Sequence, residues 1–310
     1  MDLDLPVEVE ELRKTVRAFA EEVVRPQAEG FDERAEFPLE IVKEMGKMGL
    51  FGLPFPEEYG GMGGDFLALC VAIEELARVD SSVAITLEAG VGLGAMPFFL
   101  FGTEEQKMQW LLPMARGEIL GGFGLTEPGG GSDAGSTQTT ARIDGDDWVI
   151  NGAKAFITNA GTEISKVVTI TAVTGESAGR KEITAICVPT GTAGFEVGRA
   201  YRKMGWHASD TRELSFTDCR VPLANQVGER GHGFRNFLKI LDDGRIAIAA
   251  LAVGLAQGCL DESIRYAKER QAFGKAIGSY QAIQFKVADM AMKTRLARNQ
   301  VYRAAWLKLQ

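Results

Sequence analysis

No proline occurs after Pro222, and apolar residues there recur at helical spacing: Phe234, Phe237, Leu238 and Leu241, then Ile246, Ile248, Leu251, Val253, Leu255 and Leu260. Proline breaks helix interiors, so this stretch is free to form helices far longer than usual. One helix is expected from about 233 to 269, roughly 55 Å long at about 1.5 Å per residue. A glycine-containing turn at 274–278 follows, then a second long helix from about Ser279. Residues 301–310, VYRAAWLKLQ, are still periodic and carry no Gly, Asn or Pro stop signal. Two long antiparallel helices cannot bury both faces. The chain is therefore expected to be C-terminally truncated; the other reading takes the partners from the N-terminal helices or another subunit.

Upstream, the texture changes twice. Residues 1–118 read as helices. Leu12, Val16, Phe19, Val23 and Val24 have helical spacing, and Leu39, Ile41, Val42, Met45 and Met48 follow the start signal Phe37-Pro38. The stretch LPFPEEYGGMGGD (53–65) is loop, and helical patterns resume over 66–78, 82–100 and 103–116. Thr103 with Gln106 forms a capping-box pattern. Beyond residue 118, Thr, Val and Ile become dense in short runs. Asp144-Gly145 and Asn151-Gly152 both read as hairpin turns, and strands are expected at 166–173, 182–188 and 213–217. The fold class is α+β and multi-domain: a helical domain (1–118), a middle antiparallel β-barrel or sandwich (119–226), and an incomplete C-terminal helical bundle (227–310).

Several function classes are excluded. The net charge is -8 with no run of Lys or Arg, which argues against nucleic acid as the main partner. Cys70, Cys187, Cys219 and Cys259 lie far apart, and His207 and His232 are the only histidines, so no zinc or His-rich metal site is expected. The start MDLDLPVEVEEL is acidic without an apolar core, so no signal peptide is read. Gly, Pro or charge interrupts the apolar stretches, so no membrane span is expected and the cytosol, or an organelle matrix, is the expected location.

The most chemical segment is TEPGGGSDAGST (126–137). It lacks the GK[ST] of a phosphate loop and the GxGxxG of a dinucleotide fold, and Ser132 is not in GxSxG. What remains is a loop with exposed N–H groups, hydroxyls and an acid. It reads equally as an ordinary glycine-rich turn or as a site for an anion or a planar polar ring edge.

The order helical, β, helical, with LTEPGGGSDAG (125–135) at the first junction, resembles the acyl-CoA dehydrogenases. NGAKAFITNA (151–160), MGWHASDTRELSF (204–216), LDDGRIAIAALAVGLAQ (241–257) and YAKERQAFGKAIGSYQAIQFKVADMAM (266–292) extend the resemblance across the chain, closest to short-chain, butyryl-type members.

That resemblance implies FAD as cofactor and desaturation of acyl-CoA thioesters to trans-2-enoyl-CoA in β-oxidation. It also implies electrons passing to electron-transferring flavoprotein, and a homotetramer. It places Phe123, Leu125 and Thr126 against the isoalloxazine, and Gly131 and Ser132 in the loop beside it, with Ser132 also touching the thioester. Phe156, Ile157 and Thr158 would cover the other ring edge, Phe156 standing where many relatives have Trp. Asp242 and Arg245 would line the CoA and substrate cleft. Arg270, Phe273 and Gln281 would hold the FAD diphosphate and adenine across a subunit interface. Taken without the resemblance, Phe123 and Leu125 read as strand core, Phe156 and Thr158 as alternation in a hairpin strand, Asp242 with Arg245 as a surface ion pair, and Arg270 as a helix-end charge. The family's base is a Glu late in the last domain or, in a minority, just before the Arg matched by Arg245. Gly244 stands there, so no catalytic base is expected within 1–310. An oxygen-reactive oxidase of the same fold, and a silent acyl-CoA or flavin scaffold, are the competing readings.

Overall fold

The computed structural model describes residues 5–177 and 179–308. They group into two compact units, one from 5–30, 65–85 and 245–308, the other from the described residues of 31–64 and 86–244.

The first unit is helical. Helix α1 (7–34) begins as Val7–Phe19 and continues through a π-helical turn, Ala20–Val24. Helix α3 (Phe66–Ala77) follows in this unit, whereas α2 (Leu39–Lys47) and α5 (104–115) belong to the second. Asp65 caps α3 by accepting from the Ala68 N–H at 2.7 Å, and every residue of α3 is buried. The expected long helices are present as α6 (Gly233–Glu269) and α7 (Gln281–Lys308). Gly254 and Gly258 let α6 cross close to α3: a Cβ at either would meet the Glu74 or Arg78 carbonyl oxygen at 2.2 and 2.3 Å. Buried Glu75 is gripped through two bonds from Arg17, and Glu74 by Arg298 at 2.7 Å. Phe285, Met292, Leu296, Trp306 and Leu307 leave an exposed apolar face along α7.

The second unit is built on an eight-stranded sheet in the order β6-β7-β3-β2-β4-β5-β8, with β1 on β4. The strands are β1 (Leu120–Gly124), β2 (Thr140–Asp144), β3 (Asp147–Thr158), β4 (Ser165–Ser177), β5 (Arg180–Pro189), β6 (Phe195–Ala200), β7 (Thr211–Pro222) and β8 (Gln226–Val227). Its core gathers Trp148, Ile150, Ile157, Ile170, Ile186, Val188, Leu214 and Val221 around the stacked pair Phe195 and Phe216. Each such side chain contributes about 1.5–3 kcal/mol by leaving water.

Two expectations need correction. The sheet is mixed, because β1 and β2 each pair with β4 in parallel, and its strand order is open rather than a closed barrel. Asn151-Gly152 is a bulge inside β3 and not a hairpin turn. Gly152 has φ 146, and Thr139 packs so closely that an added Cβ would lie 2.6 Å from its Oγ1. The Asp144-Gly145 hairpin does form, with Gly145 at φ 65. Two helices, α4 (Ser81–Phe101) and α6, have an apolar window long enough to cross a membrane by length and composition alone, a test that the core helix of a globular protein also passes. In α4, 83% of the apolar window is buried inside the protein, as in a core helix.

Candidate functional site

Helix α4 turns π-helical over Ala89–Ala95, where Gly90, Gly92 and Gly94 alternate. The glycines permit close approach to β1: a Cβ at Gly94 would lie 2.4 Å from the Gly121 carbonyl oxygen. Strand β1 then delivers Phe123, whose ring stacks on Phe237 of α6 at 3.9 Å, and runs into the glycine-rich loop.

That loop is anchored by a pair that sequence reading missed. Glu127 reaches the Lys154 ammonium at 2.7 Å and accepts from the backbone N–H of Gln138 (2.7 Å) and Thr139 (3.0 Å). Lys154 is fully buried in β3 and also donates to Thr171 Oγ1 at 3.2 Å. Burial alone would raise the Glu127 carboxyl. Lys154 and the loop N–H groups outweigh it and hold Glu127 below the usual carboxylate range. Burial pulls the Lys154 ammonium below its ordinary value, against Glu127's opposing effect. The available signal was a lone Lys between two Ala in a strand, with one acid in the loop above it.

From this anchor the loop presents Gly131 and Ser132 outward, both exposed. A bridge between Glu127 and Gly130, with N–H···O bonds of 3.0 Å each way, sets its first turn. The Thr126 carbonyl accepts from the Ala155 N–H at 2.9 Å, so loop and β3 are neighbours. Beyond Ala155, β3 departs from regular alternation: its register with β7 shifts between Lys154 and Ile157. Phe156 adopts φ 61 and is 64% exposed, stacked on Tyr201 at 5.0 Å. A left-handed bulky residue carries strain, and such strain clusters at functional sites. Asn159 is left-handed as well, at φ 59, and its amide donates to the Thr86 carbonyl of α4 at 3.1 Å.

The hydroxyls of Thr126, Ser132 and Thr158 have no partner among the described residues. Leu125 and Ile157 are buried, at 8% and 2% exposure, so only their main chain is free to face a ligand. Leu125 also closes a small cavity of about 140 Å³ beneath the loop. Unpaired hydroxyls, loop N–H groups and an outward aromatic ring suit the polar edge and apolar face of a flavin.

Glu88 on α4 was not anticipated either. It is 1% exposed, its Oε1 has no hydrogen-bond partner among the described residues, and burial pushes it up to about 8. Asp242 lies exposed on α6 in this same unit, two residues from Gly244. Arg245, Arg270, Phe273 and Gln281 belong to the other unit, and all four are exposed. Phe273 is 96% exposed with φ 50, beside the ribbon of β9 (Gln271–Ala272) and β10 (Lys275–Ala276). Its ring meets Tyr280 edge-on at 6.4 Å.

The sequence matches the acyl-CoA dehydrogenase N-terminal domain over residues 6–118, the middle domain over 122–219 and the C-terminal domain over 231–310. The chain belongs to the acyl-CoA dehydrogenase family. It is 51% identical over 309 residues to the probable acyl-CoA dehydrogenase YngJ of Bacillus subtilis, covering 99% of this chain and 81% of that one. The mitochondrial short-chain specific acyl-CoA dehydrogenase of Rattus norvegicus is 44% identical over 306 residues, covering 99% and 74%. Among solved structures, butyryl-CoA dehydrogenase from Megasphaera elsdenii superposes with TM-score 0.95 at 42% identity, covering 99% and 81%. A chain from work on the electron transferring flavoprotein of Acidaminococcus fermentans gives 0.95 at 44%, covering 99% and 80%. An acyl-CoA dehydrogenase of Bacillus anthracis complexed with FAD gives 0.91 at 37%, covering 98% and 52%.

Proposed function

We propose that this protein desaturates acyl-CoA thioesters between C2 and C3, giving the trans-2-enoyl-CoA. It is an oxidoreductase acting on CH–CH bonds, and its cofactor is FAD. The hydride leaving C3 would have bound FAD as its acceptor, while the C2 proton passes to a base. The observation that carries this reading is strained, exposed Phe156 on β3, next to a loop bonded to it through Thr126, with the hydroxyls of Thr126, Ser132 and Thr158 lacking a partner among the described residues.

The chain's residues take the following parts in the proposal. Thr126, Gly131 and Ser132 offer donors to the flavin's polar edge, where a preorganised donor contributes about 2.7–4 kcal/mol as negative charge develops. Phe123 and Phe156 would form its apolar surroundings, Leu125 and Ile157 would face it through their main chain, and Thr158 would stand near the hydride-accepting atom. Ser132, Asp242 and Arg245 orient the thioester. Arg270 would pair its guanidinium fork with the FAD diphosphate, with Phe273 and Gln281 beside it across a subunit interface. Gly244 carries no carboxylate, so the proton acceptor of this reaction is not at 244.

Electron-transferring flavoprotein is the proposed electron acceptor, a reading supported by the likeness to the Acidaminococcus work. A homotetramer, a cytosolic or organelle-matrix location, the division at 118 and 226, and a preference for short straight acyl chains belong to the same proposal. The mitochondrial relative and the butyryl-CoA dehydrogenase likeness support the location and the chain length.

The test is anaerobic titration of the FAD-loaded protein with butyryl-CoA and then longer acyl-CoAs, read in the flavin absorption. Bleaching is expected. A spectral shift without bleaching would mean binding without desaturation, and peroxide release in air would mark an oxidase.

A further inference from the structure

Glu88 occupies an unusual position. Its helix α4 is docked one half-turn earlier, where the Thr86 carbonyl accepts from Asn159 at the end of β3, next to Thr158. It is docked again at Gly94 against β1. On its other side lies Gly244, on the stretch of α6 that carries Asp242. Two glycines face the carboxyl: a Cβ at Gly92 would sit 3.0 Å from Glu88 Oε1, and a Cβ at Gly244 3.6 Å from it. The enclosing atom next to Gly244 is apolar, Leu93 Cδ2, 3.8 Å from the same Cβ position. Oε1 is fully enclosed with no hydrogen-bond partner.

A buried carboxyl with no partner costs several kcal/mol relative to an apolar residue of similar size. Nothing in the second unit recovers that cost, because neither an ion pair nor a capping N–H reaches the group. The cost is recovered if a ligand brings the missing partner. Glycine at 92 and 244 leaves only hydrogen where a side chain would crowd Oε1, between the Thr86–Asn159 contact beside Thr158 and the stretch of α6 that carries Asp242. A neutral carboxylic acid offers one O–H donor and one carbonyl acceptor, and it complements an uncharged oxygen function.

Building on the acyl-CoA reading above, we propose that Glu88 is a specificity-determining residue of the acyl cavity. Its carboxylic acid hydrogen-bonds a hydroxyl or carbonyl oxygen carried on the acyl chain beyond C3. The preferred substrates are then oxygenated acyl-CoA thioesters rather than plain alkyl ones. A site built to pair a substrate oxygen rejects the analogue lacking it far more strongly than an apolar pocket rejects a methylene.

The experiment measures dissociation constants by calorimetry on the FAD-loaded protein with 2-enoyl-CoA ligands, which cannot be desaturated again between C2 and C3. Matched pairs differ only by OH in place of the terminal CH3, at two chain lengths. The wild type is expected to bind the hydroxylated member about tenfold more tightly or better. Glu88→Leu should invert that preference, and Glu88→Gln should keep part of it. Equal binding of both members by the wild type, with an unchanged ratio in Glu88→Gln, would overturn the proposal. So would a Glu88→Gln protein that keeps the binding ratio but no longer bleaches with any acyl-CoA, since Glu88 would then be a proton acceptor. A shifted binding ratio with no bleaching in the wild type supports the specificity role and sinks the desaturation reading instead.

Discussion

Glu127 and Glu88 are both buried glutamates of the same compact unit, and they are in opposite states. Glu127 has an ammonium and two backbone N–H groups on its oxygens, and its carboxyl is held below the usual range. Glu88 has none of these, and burial pushes it up to about 8. The first is an anchor: it fixes the loop that carries Gly131 and Ser132 onto the strand that carries Phe156. The second contributes nothing visible to the fold. Burial alone thus says little about a carboxylate's role; the inventory of its partners separates a structural group from one awaiting a ligand.

The largest effect should come from splitting the anchor. Lys154→Ala leaves Glu127 buried and uncompensated, a loss of about 3–5 kcal/mol in denaturant unfolding, with FAD retention lost alongside. The double variant Glu127→Leu/Lys154→Met should be more stable than Lys154→Ala; equal loss in both would mean that the pair is incidental.

The two carboxyls should also differ in their pH dependence. For Glu88 the folded value lies above the ordinary one, so the folded state holds the extra proton between them. Stability therefore falls as pH rises from about 4.5 to about 8. Glu88→Gln should remove that slope, gaining up to about 1.4 kcal/mol per pKa unit of the difference and nothing near pH 4.5. Glu127 has the opposite sign: its contribution is complete above the ordinary Glu value and is lost as pH falls through its lowered folded value. Thermal unfolding across this range checks both, and parallel slopes in the two Gln variants would break the contrast.

Smaller still is the strain at Phe156. Phe156→Gly should relieve about 1–2 kcal/mol at φ 61 and raise stability while weakening FAD retention, read by flavin release on dilution. Loss of both together would make the ring a packing residue. Ser132→Ala should leave stability within about 0.5 kcal/mol, because its hydroxyl has no partner among the described residues, yet weaken acyl-CoA binding by about 1 kcal/mol.

Periodicity was enough to find the long helices 233–269 and 281–308, because nothing in those stretches competes with the helical pattern. The Thr103–Gln106 capping box forms as the pair predicts. Failures came where one local signal had two outcomes. Asn151-Gly152 supports a turn or a bulge equally, and only Thr139, packed against Gly152 from the residue just before β2, decides for the bulge. The parallel pairings of β1 and β2 with β4 depend on contacts remote in sequence. Strand β6 (Phe195–Ala200) is too polar and too short to announce itself. At the site, the resemblance pointed to the loop and to Phe156, but not to what holds them. Lys154 looks like a solvent-facing strand residue until the bulge turns it inward, and Glu88 looks like a polar helix residue until its neighbours are counted.

The measurement that tests the account most directly is anaerobic rapid mixing of the FAD-loaded protein with butyryl-CoA deuterated at C2, at C3, or at neither. Loss of the C2 proton and transfer of the C3 hydride should both limit reduction, so the flavin bleaches and each label slows it. Exchange of the C2 hydrogen with solvent while the flavin keeps its colour would contradict desaturation and leave a protein that binds and activates the thioester without oxidising it.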